Sequence, residues 1–193
     1  MRRALAVLLV LGAVAPVASA QIIPTFRKDS ALDGRGPLDI VRVAMSRGAD
    51  GRLRGEVTME DGWDTDDLRS AAGPSGSICL TLYTARTPGA EPPDWLVCAT
   101  VPAAGDQLRG RVLRDRANGL PRQVAAATLS RPTARTIYLR FTQSAIDRPA
   151  SVRFAAEAVT RGRRCPRPLG CRDTAPDAPG TANLTLRTTA PSG

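Results

Sequence analysis

Apolar and polar positions alternate with a period of two along most of this chain, which is the period of a half-buried β-strand rather than of a helix. In residues 53–59 the apolar or small side chains occupy every second position, with charged or polar ones between them. Val41, Val43 and Met45 are predicted to share one face of an earlier strand. Turn-forming residues fill positions 48–51 between the two segments, so together they are predicted to form a hairpin.

The same alternation, bounded by Gly, Pro, Asp or Ser, predicts further strands at residues 78–83, 95–101, 108–113, 124–129, 136–141 and 152–159, with 183–185 as a further candidate. Short helical turns are predicted at residues 65–70 and 142–146. No long amphipathic helix is indicated. The fold class predicted is therefore all-β, an antiparallel jelly-roll-like β-sandwich of about eight or nine strands.

The N-terminus has the three parts of a secretory signal peptide: Arg2 and Arg3, an apolar run over residues 4–14, and small residues ending at Ala20. Cleavage after Ala20 would deliver a secreted, extracellular protein. The predicted organisation is a signal peptide at 1–20, an N-terminal arm and loop at 21–37, a sandwich domain at 38–187 that includes a disulfide-closed loop at 161–181, and a tail at 188–193. No later stretch is apolar enough to predict a membrane span.

Four cysteines in an exported chain predict two disulfides. A hairpin centred on residues 87–90 would place Cys79 opposite Cys98, and the same register puts apolar residues opposite one another on the other face, as in Leu80 with Val97. A slip of one residue would disrupt both faces. Directly opposed strand residues are close enough for a disulfide. We therefore predict Cys79–Cys98, which leaves Cys165 and Cys171 to close a short loop.

The chain contains no histidine. Ser-His-Asp and Cys-His hydrolases, His-ligated zinc sites and histidine general acid or base catalysis are thereby excluded. Paired carboxylates remain available for glycoside hydrolysis. The acidic stretch at residues 60–67 is interpreted instead as a loop that caps a helical turn, with Asp64 or Thr65 as N-cap.

The formal net charge is +9, and the basic residues are arginines apart from Lys28. They are dispersed among acidic residues, so no nucleic-acid partner is expected. Strand alternation points several arginines outward whether or not they are used. If neighbouring strands brought them together they would form a cationic face for an anionic polymer; these residues are Arg52, Arg54, Arg109, Arg111, Arg140 and Arg153.

The spaced aspartates Asp29, Asp33 and Asp39, with Gly-x-Gly-Pro at 34–37 and a closing Asp-Ile, resemble the opening motif of secreted β-sandwich domains of the DOMON and family-9 carbohydrate-binding type. The segment 171–176, with a different spacing, is similar to a late Cys-x-x-Asp-x-x-Pro motif in small secreted actinobacterial proteins of unassigned function. The resemblance implies a jelly-roll-like sandwich and a candidate structural calcium ion held by the three aspartates.

Exposed aromatic rings are the usual platform for sugars, and the candidates are Tyr83, Tyr138 and Trp63, with Trp95 predicted inward. The function predicted is a non-catalytic secreted protein with a binding or structural role at the cell envelope, its partner a glycan or anionic polymer. One alternative is a carbohydrate-binding-module-like domain with structural calcium. Another is a His-free carboxylate glycosidase. Sequence leaves the ligand and the oligomeric state open.

Overall fold

The computed structural model describes residues 25–29, 36–70, 75–84, 92–102, 105–116, 118–160, 165, 171–177 and 180–186. The predicted signal peptide at 1–20, the tail at 188–193 and Asp33 lie outside these residues. The described part contains eleven strands: β1 Thr25–Lys28, β2 Ile40–Arg47, β3 Arg52–Met59, β4 Ser77–Tyr83, β5 Trp95–Thr100, β6 Arg109–Arg114, β7 Arg122–Ser130, β8 Thr136–Thr142, β9 Ser151–Thr160, β10 Cys171–Ala175 and β11 Ala182–Thr185. Two 3-10 turns, Thr65–Asp67 and Gln143–Ile146, lie within the turns predicted from sequence.

The strands form one antiparallel sheet in the order β1-β2-β3-β8-β7-β6-β5-β4-β9-β10, with β11 also paired to β9. Strand β7 joins two halves of this sheet, because residues up to Ala127 pair with β6 and Thr128–Ser130 pair with β8. We call β1, β2, β3, β8 and the end of β7 the first half-sheet. The remaining strands, including the start of β7, are the second half-sheet.

The two ends of the sheet approach each other, so that the sheet is nearly barrel-shaped. Strand β2 contacts β9 and β10, and β1 contacts β11. Two side chains bridge this junction. The Ile40 backbone N–H donates to Asp173 Oδ2 at 2.6 Å, and Arg47 Nη1 donates to the Leu186 carbonyl oxygen at 2.9 Å.

The all-β, antiparallel class predicted from sequence is confirmed, but the described residues hold eleven strands instead of eight or nine. The two unexpected strands are β1, in the segment predicted as an arm, and β10, in the segment predicted as a loop. Both are short and rich in polar or charged residues, so the alternation that identifies a strand is missing. The jelly-roll connectivity stays a prediction.

One hydrophobic core lies between the half-sheets and includes Val57 and Leu139 from the first and Ile78 and Val97 from the second. The halves touch closely at Gly55. A Cβ atom there would lie 1.8 Å from Leu80 Cδ1, so this position in β3 has no room for a side chain unless Leu80 moves. Glycine therefore allows the second half-sheet to pack directly on the first.

The predicted hairpin of β4 and β5 forms in the predicted register, with Ile78 opposite Ala99 and Leu80 opposite Val97. Cys79 and Cys98 are opposed and bonded, and a second disulfide joins Cys165 to Cys171. Both predicted pairings are confirmed.

The predicted hairpin of β2 and β3 also forms, but Val41 does not share the core-facing side of β2 with Val43 and Met45. Val43 and Met45 face the core as expected. The register between β2 and β3 shifts between Ile40 and Arg42, so Val41 is an extra residue in β2 and is only half-buried.

Candidate functional site

Three of the six arginines predicted to face outward meet on the outer face of the first half-sheet. Arg52 and Arg54 alternate with the core residue Leu53 along β3, and Arg140 alternates with the core residues of β8 in the same way. Arg54 lies directly opposite Arg140. Opposed residues of an antiparallel pair have Cβ atoms about 5 Å apart, so the two arginine side chains leave the sheet at neighbouring positions.

A row of hydroxyl and guanidinium groups crosses four strands at this level. Ser46 of β2 lies opposite Arg54, and Thr128 of β7 lies opposite Arg140. Arg52 is two residues from Arg54 along the strand, a spacing of about 7 Å on the same face. The two hydroxyl-bearing residues are thus the cross-strand neighbours of the arginine pair, and Ser46 also lines the pocket described below.

The turn between β2 and β3 forms one wall of the site. The Gly51 N–H donates to the Gly48 carbonyl oxygen at 3.0 Å, and Gly51 has a φ of +74°, a left-handed conformation that glycine adopts without strain. Asp50 Oδ1 accepts a hydrogen bond from the Arg52 backbone N–H at 3.0 Å. The turn is therefore closed by its own hydrogen bonds beside the arginines.

These elements enclose a surface pocket of about 320 Å³. It is open to solvent and its lining is dominated by cations. The lining residues are Ser46, Arg47, Gly48, Asp50, Arg52, Leu53, Arg54 and Arg140. A pocket with four arginines and one aspartate favours an anionic occupant.

The charges of this pocket are weakly compensated by the protein. Arg42 and Glu56 form an ion pair with each other on the same face. Arg54 stacks over the ring of Tyr138, with 4.9 Å from Cζ to the ring centroid, which leaves its positive charge in place. Within the described ranges, no carboxylate lies within ion-pair distance of Arg52, Arg54 or Arg140.

The other three predicted arginines do not join this group. Arg109 and Arg111 lie on β6 and Arg153 lies on β9, all on the second half-sheet, and strands β5 and β4 separate Arg153 from the other two. Arg111 is opposite Cys98 of the disulfide, and Arg153 stacks over Tyr83 at 5.2 Å. The six arginines thus form one cluster of three and three that are apart from it.

The aromatic candidates do not form a shared platform. Trp63 is only 4% exposed and packs in the core, with Arg131 Cζ 4.0 Å from its ring centroid. It therefore offers no exposed ring face. Tyr138 is on the first half-sheet and Tyr83 on the second, each covered on one side by an arginine. Trp95 is buried, as predicted.

The acidic stretch at residues 60–67 has the capping role predicted for it. Asp64 is the N-cap of the first 3-10 turn: its Oδ1 accepts from the Asp66 N–H at 2.8 Å. Asp67 completes a capping box by accepting from the Asp64 N–H at 2.9 Å. These carboxylates hold the turn together and so have a structural use.

The candidate calcium ligands are only partly described. Asp29 is half-buried next to β2, where its N–H donates to the Val41 carbonyl oxygen at 3.0 Å, and Asp39 is buried with 6% exposure. Asp33 lies outside the described residues, so the geometry of the three ligands is not defined. Among the residues with described positions, no group of three His, Cys, Asp or Glu side chains is placed to hold a metal ion. The calcium site stays a prediction.

A second pocket, of about 530 Å³, was not anticipated from the sequence. Asp94 and Asp115 are opposed just beyond the β5–β6 pairing, where the Asp115 N–H donates to the Asp94 carbonyl oxygen at 3.0 Å. Arg114 stacks over Trp95 at 5.1 Å and lies 3.6 Å from Asp147. Asp94 is the residue before β5. A prediction that extended the β4–β5 register to this residue, and that also paired β5 with β6, would place Asp94 opposite Asp115.

No protein-family model, curated protein or solved structure matches this chain. In the part of the chain that the structure describes, no helix has both the length and the apolar character needed to cross a bilayer.

Proposed function

We propose that this chain is a secreted, non-catalytic binding protein that acts at the cell envelope and holds acidic glycans or related anionic polymers on the outer face of its first half-sheet. The leader-like N-terminus and the two disulfides support an extracellular location. The pocket beside the β2–β3 turn supplies the binding site.

The observation that carries this proposal is the opposition of Arg54 and Arg140 on neighbouring strands. Directly opposed like charges destabilise a sheet, and folding alone gives no reason to keep them together without a carboxylate. A bound anion would remove the repulsion and form charge-assisted hydrogen bonds with both side chains. The enclosing pocket shows that there is space for such a group.

Binding to dextran sulfate, with uncharged dextran of equal length as reference, tests the charge requirement. We expect the chain to bind dextran sulfate and to ignore dextran, with affinity that falls as salt is added because exposed charges are screened. In the R54Q/R140Q variant the affinity should fall at least tenfold.

The matched control is R109Q/R111Q, which removes the same number of charges from the second half-sheet and should bind almost as well as the unmodified chain. Equal losses in the two double variants would show that only net charge matters. That result would contradict a site at Arg54 and Arg140.

A carboxylate glycosidase is the second candidate function, and the opposed pair Asp94 and Asp115 in the 530 Å³ pocket favours it. Retaining glycosidases place two carboxyl groups about 5–5.5 Å apart, a spacing that opposed strand residues can reach. Asp94 Oδ2 already accepts from Thr84 N at 2.6 Å and from Thr84 Oγ1 at 3.0 Å, which would hold it in one orientation.

A screen for hydrolysis of polysaccharides tests this second candidate. Activity that is lost in D115N and retained in D61N, a control on an exposed residue of the acidic loop, would establish it and overturn the non-catalytic proposal. A chain that hydrolyses none of the polysaccharides, or one whose activity survives D115N, counts against a glycosidase.

A further inference from the structure

We propose that the preferred ligand group at Arg54 and Arg140 is a phosphate monoester in its dianionic form, such as a phosphorylated sugar carries. This rests on the proposed function, since it specifies the chemistry of the same site. It distinguishes one acidic group from the others that an envelope glycan can bear, namely carboxylates, sulfate esters and phosphodiesters.

The charge of the opposed arginines favours a dianionic ligand group. Arg54 and Arg140 together carry two positive charges with no carboxylate within ion-pair distance among the described residues. A single carboxylate, sulfate ester or phosphodiester carries one negative charge and leaves one guanidinium group uncompensated. A phosphate monoester carries close to two negative charges near neutral pH.

The arrangement of donors at the site favours a tetrahedral ligand group. A phosphate monoester offers three terminal oxygens in a tetrahedral arrangement. Two of them can accept from the two guanidinium groups while the third remains for another donor. Ser46 is opposite Arg54, lines the pocket and is 7% exposed, so its hydroxyl group can supply that donor within the protein surface. A planar carboxylate has only two oxygens in one plane, so it cannot present a separate oxygen to each of the three groups.

The other charged groups around the site also favour a dianionic ligand. From β2 it is faced by Arg47, from the turn by Asp50, and from β3 by Arg52 and Glu56. Arg47 is directed to the Leu186 carbonyl oxygen, and Glu56 is paired with Arg42. The pocket lining still holds four arginines against the single carboxylate of Asp50, and this excess of positive charge favours the more highly charged form of a ligand.

The absence of histidine makes this inference testable by pH. A phosphate monoester has its second pKa at about 6, and histidine, the side chain type that commonly titrates in the same range, does not occur in this chain. Between pH 8 and pH 5 the dianionic fraction of the ligand falls about tenfold. Inorganic sulfate remains a dianion throughout and reports any change in the protein itself.

Titration calorimetry of the full chain with glycerol 1-phosphate at pH 8 and pH 5 is the experiment, with inorganic sulfate as reference ligand. We expect the Kd for glycerol 1-phosphate to rise about tenfold on going to pH 5, and the Kd for sulfate to change less than twofold. Both affinities should fall in R54Q/R140Q and in S46A, and neither in R109Q/R111Q.

The outcomes separate this inference from the proposed function. If dextran sulfate binds through Arg54 and Arg140 but the glycerol 1-phosphate affinity does not follow pH, the phosphate assignment is wrong and the anion-binding function stands. If glycerol 1-phosphate binds with the expected pH dependence while acidic polymers do not bind, the phosphate assignment stands and the polymer-binding function is wrong. Failure of glycerol 1-phosphate to bind at pH 8 overturns the phosphate assignment.

Discussion

The two half-sheets place arginines on their outer faces by the same alternation, yet only the first opposes two arginines with no carboxylate in ion-pair distance among the described residues. On the second half-sheet Arg114 lies opposite Arg122, but Arg114 is also 3.6 Å from Asp147. On the first half-sheet the neighbour of Arg54 across the strands is another arginine. On the second, the neighbour of Arg111 is a disulfide cysteine and the neighbour of Arg109 is Thr100. Arg172 there is paired with Glu157. Alternation thus decides that a charge faces solvent, and strand register decides whether it has a like-charged neighbour.

From this difference we infer that the second half-sheet mainly stabilises the fold and that the first presents the binding site. Variants in the two halves test this difference through the free energy of unfolding or through the affinity for dextran sulfate.

Removing the Cys79–Cys98 disulfide in a C79A/C98A variant should have the largest effect on stability. The bridge closes a loop with a sequence separation of 19, for which chain-entropy arguments give a loss of about 3 kcal/mol in the free energy of unfolding. Chemical denaturation would measure it. At temperatures where the variant remains folded, binding of dextran sulfate should be unchanged; a large loss of binding would contradict the separation of roles.

The contact between the half-sheets is probed by G55A. The new Cβ would meet Leu80 Cδ1 at 1.8 Å, so Leu80 must move and the variant should lose about 1–3 kcal/mol of unfolding free energy. G62A is the control, because its Cβ would lie at an ordinary 3.6 Å from Ala134 Cβ. Thermal and denaturant unfolding of both variants provide the comparison. Equal stability of G55A and G62A would show that the halves are not packed this closely.

The opposed arginines should cost stability when no anion is bound. In R140Q the like charge opposite Arg54 disappears while the stack of Arg54 on Tyr138 remains, so the unfolding free energy should rise by about 0.2–1 kcal/mol at low salt. The gain should shrink as salt screens the repulsion. R109Q, which lies opposite Thr100, should show no such gain. A stability loss in R140Q would mean that the pair is not repulsive.

The smallest effect is expected from the two ion pairs. Partly exposed pairs of this kind contribute about 0–1 kcal/mol. E56Q frees Arg42 beside the site and should therefore raise the affinity for dextran sulfate by about twofold, whereas E157Q frees Arg172 on the other half-sheet and should leave it unchanged. Calorimetric titrations under identical conditions would resolve the two. Tighter binding by E157Q than by E56Q would place the ligand on the second half-sheet.

Local pairings were predictable from this sequence, and distant ones were not. The β4–β5 hairpin follows from alternation because the two segments are consecutive strands, and a slip of one residue would move core residues to the surface. The pairing of β3 with β8 joins segments that are far apart in the chain. Nothing in either segment specifies the other, so Arg54 and Arg140 could be identified as outward-facing but not as neighbours.

The site residues that sequence reasoning missed share this dependence on tertiary structure. Ser46 carries no motif and becomes relevant only because β2 places it opposite Arg54. Trp63 is the opposite case. Its position in an acidic loop predicts an exposed ring, but tertiary packing buries the ring beneath Arg131. Polar edge strands such as β1 and β10 lack the period-two pattern and so could not be recognised.

Anion binding between Arg54 and Arg140 is tested most directly by observing the arginine side chains individually during addition of inorganic phosphate. Nuclear magnetic resonance of the guanidinium Nε–H groups, assigned through single Arg-to-Gln variants, provides this measurement. The account predicts saturable shifts at Arg54 and Arg140, with the signals of Arg109 and Arg111 unchanged. Shifts of equal size on both half-sheets, or none at Arg54 and Arg140, would contradict it.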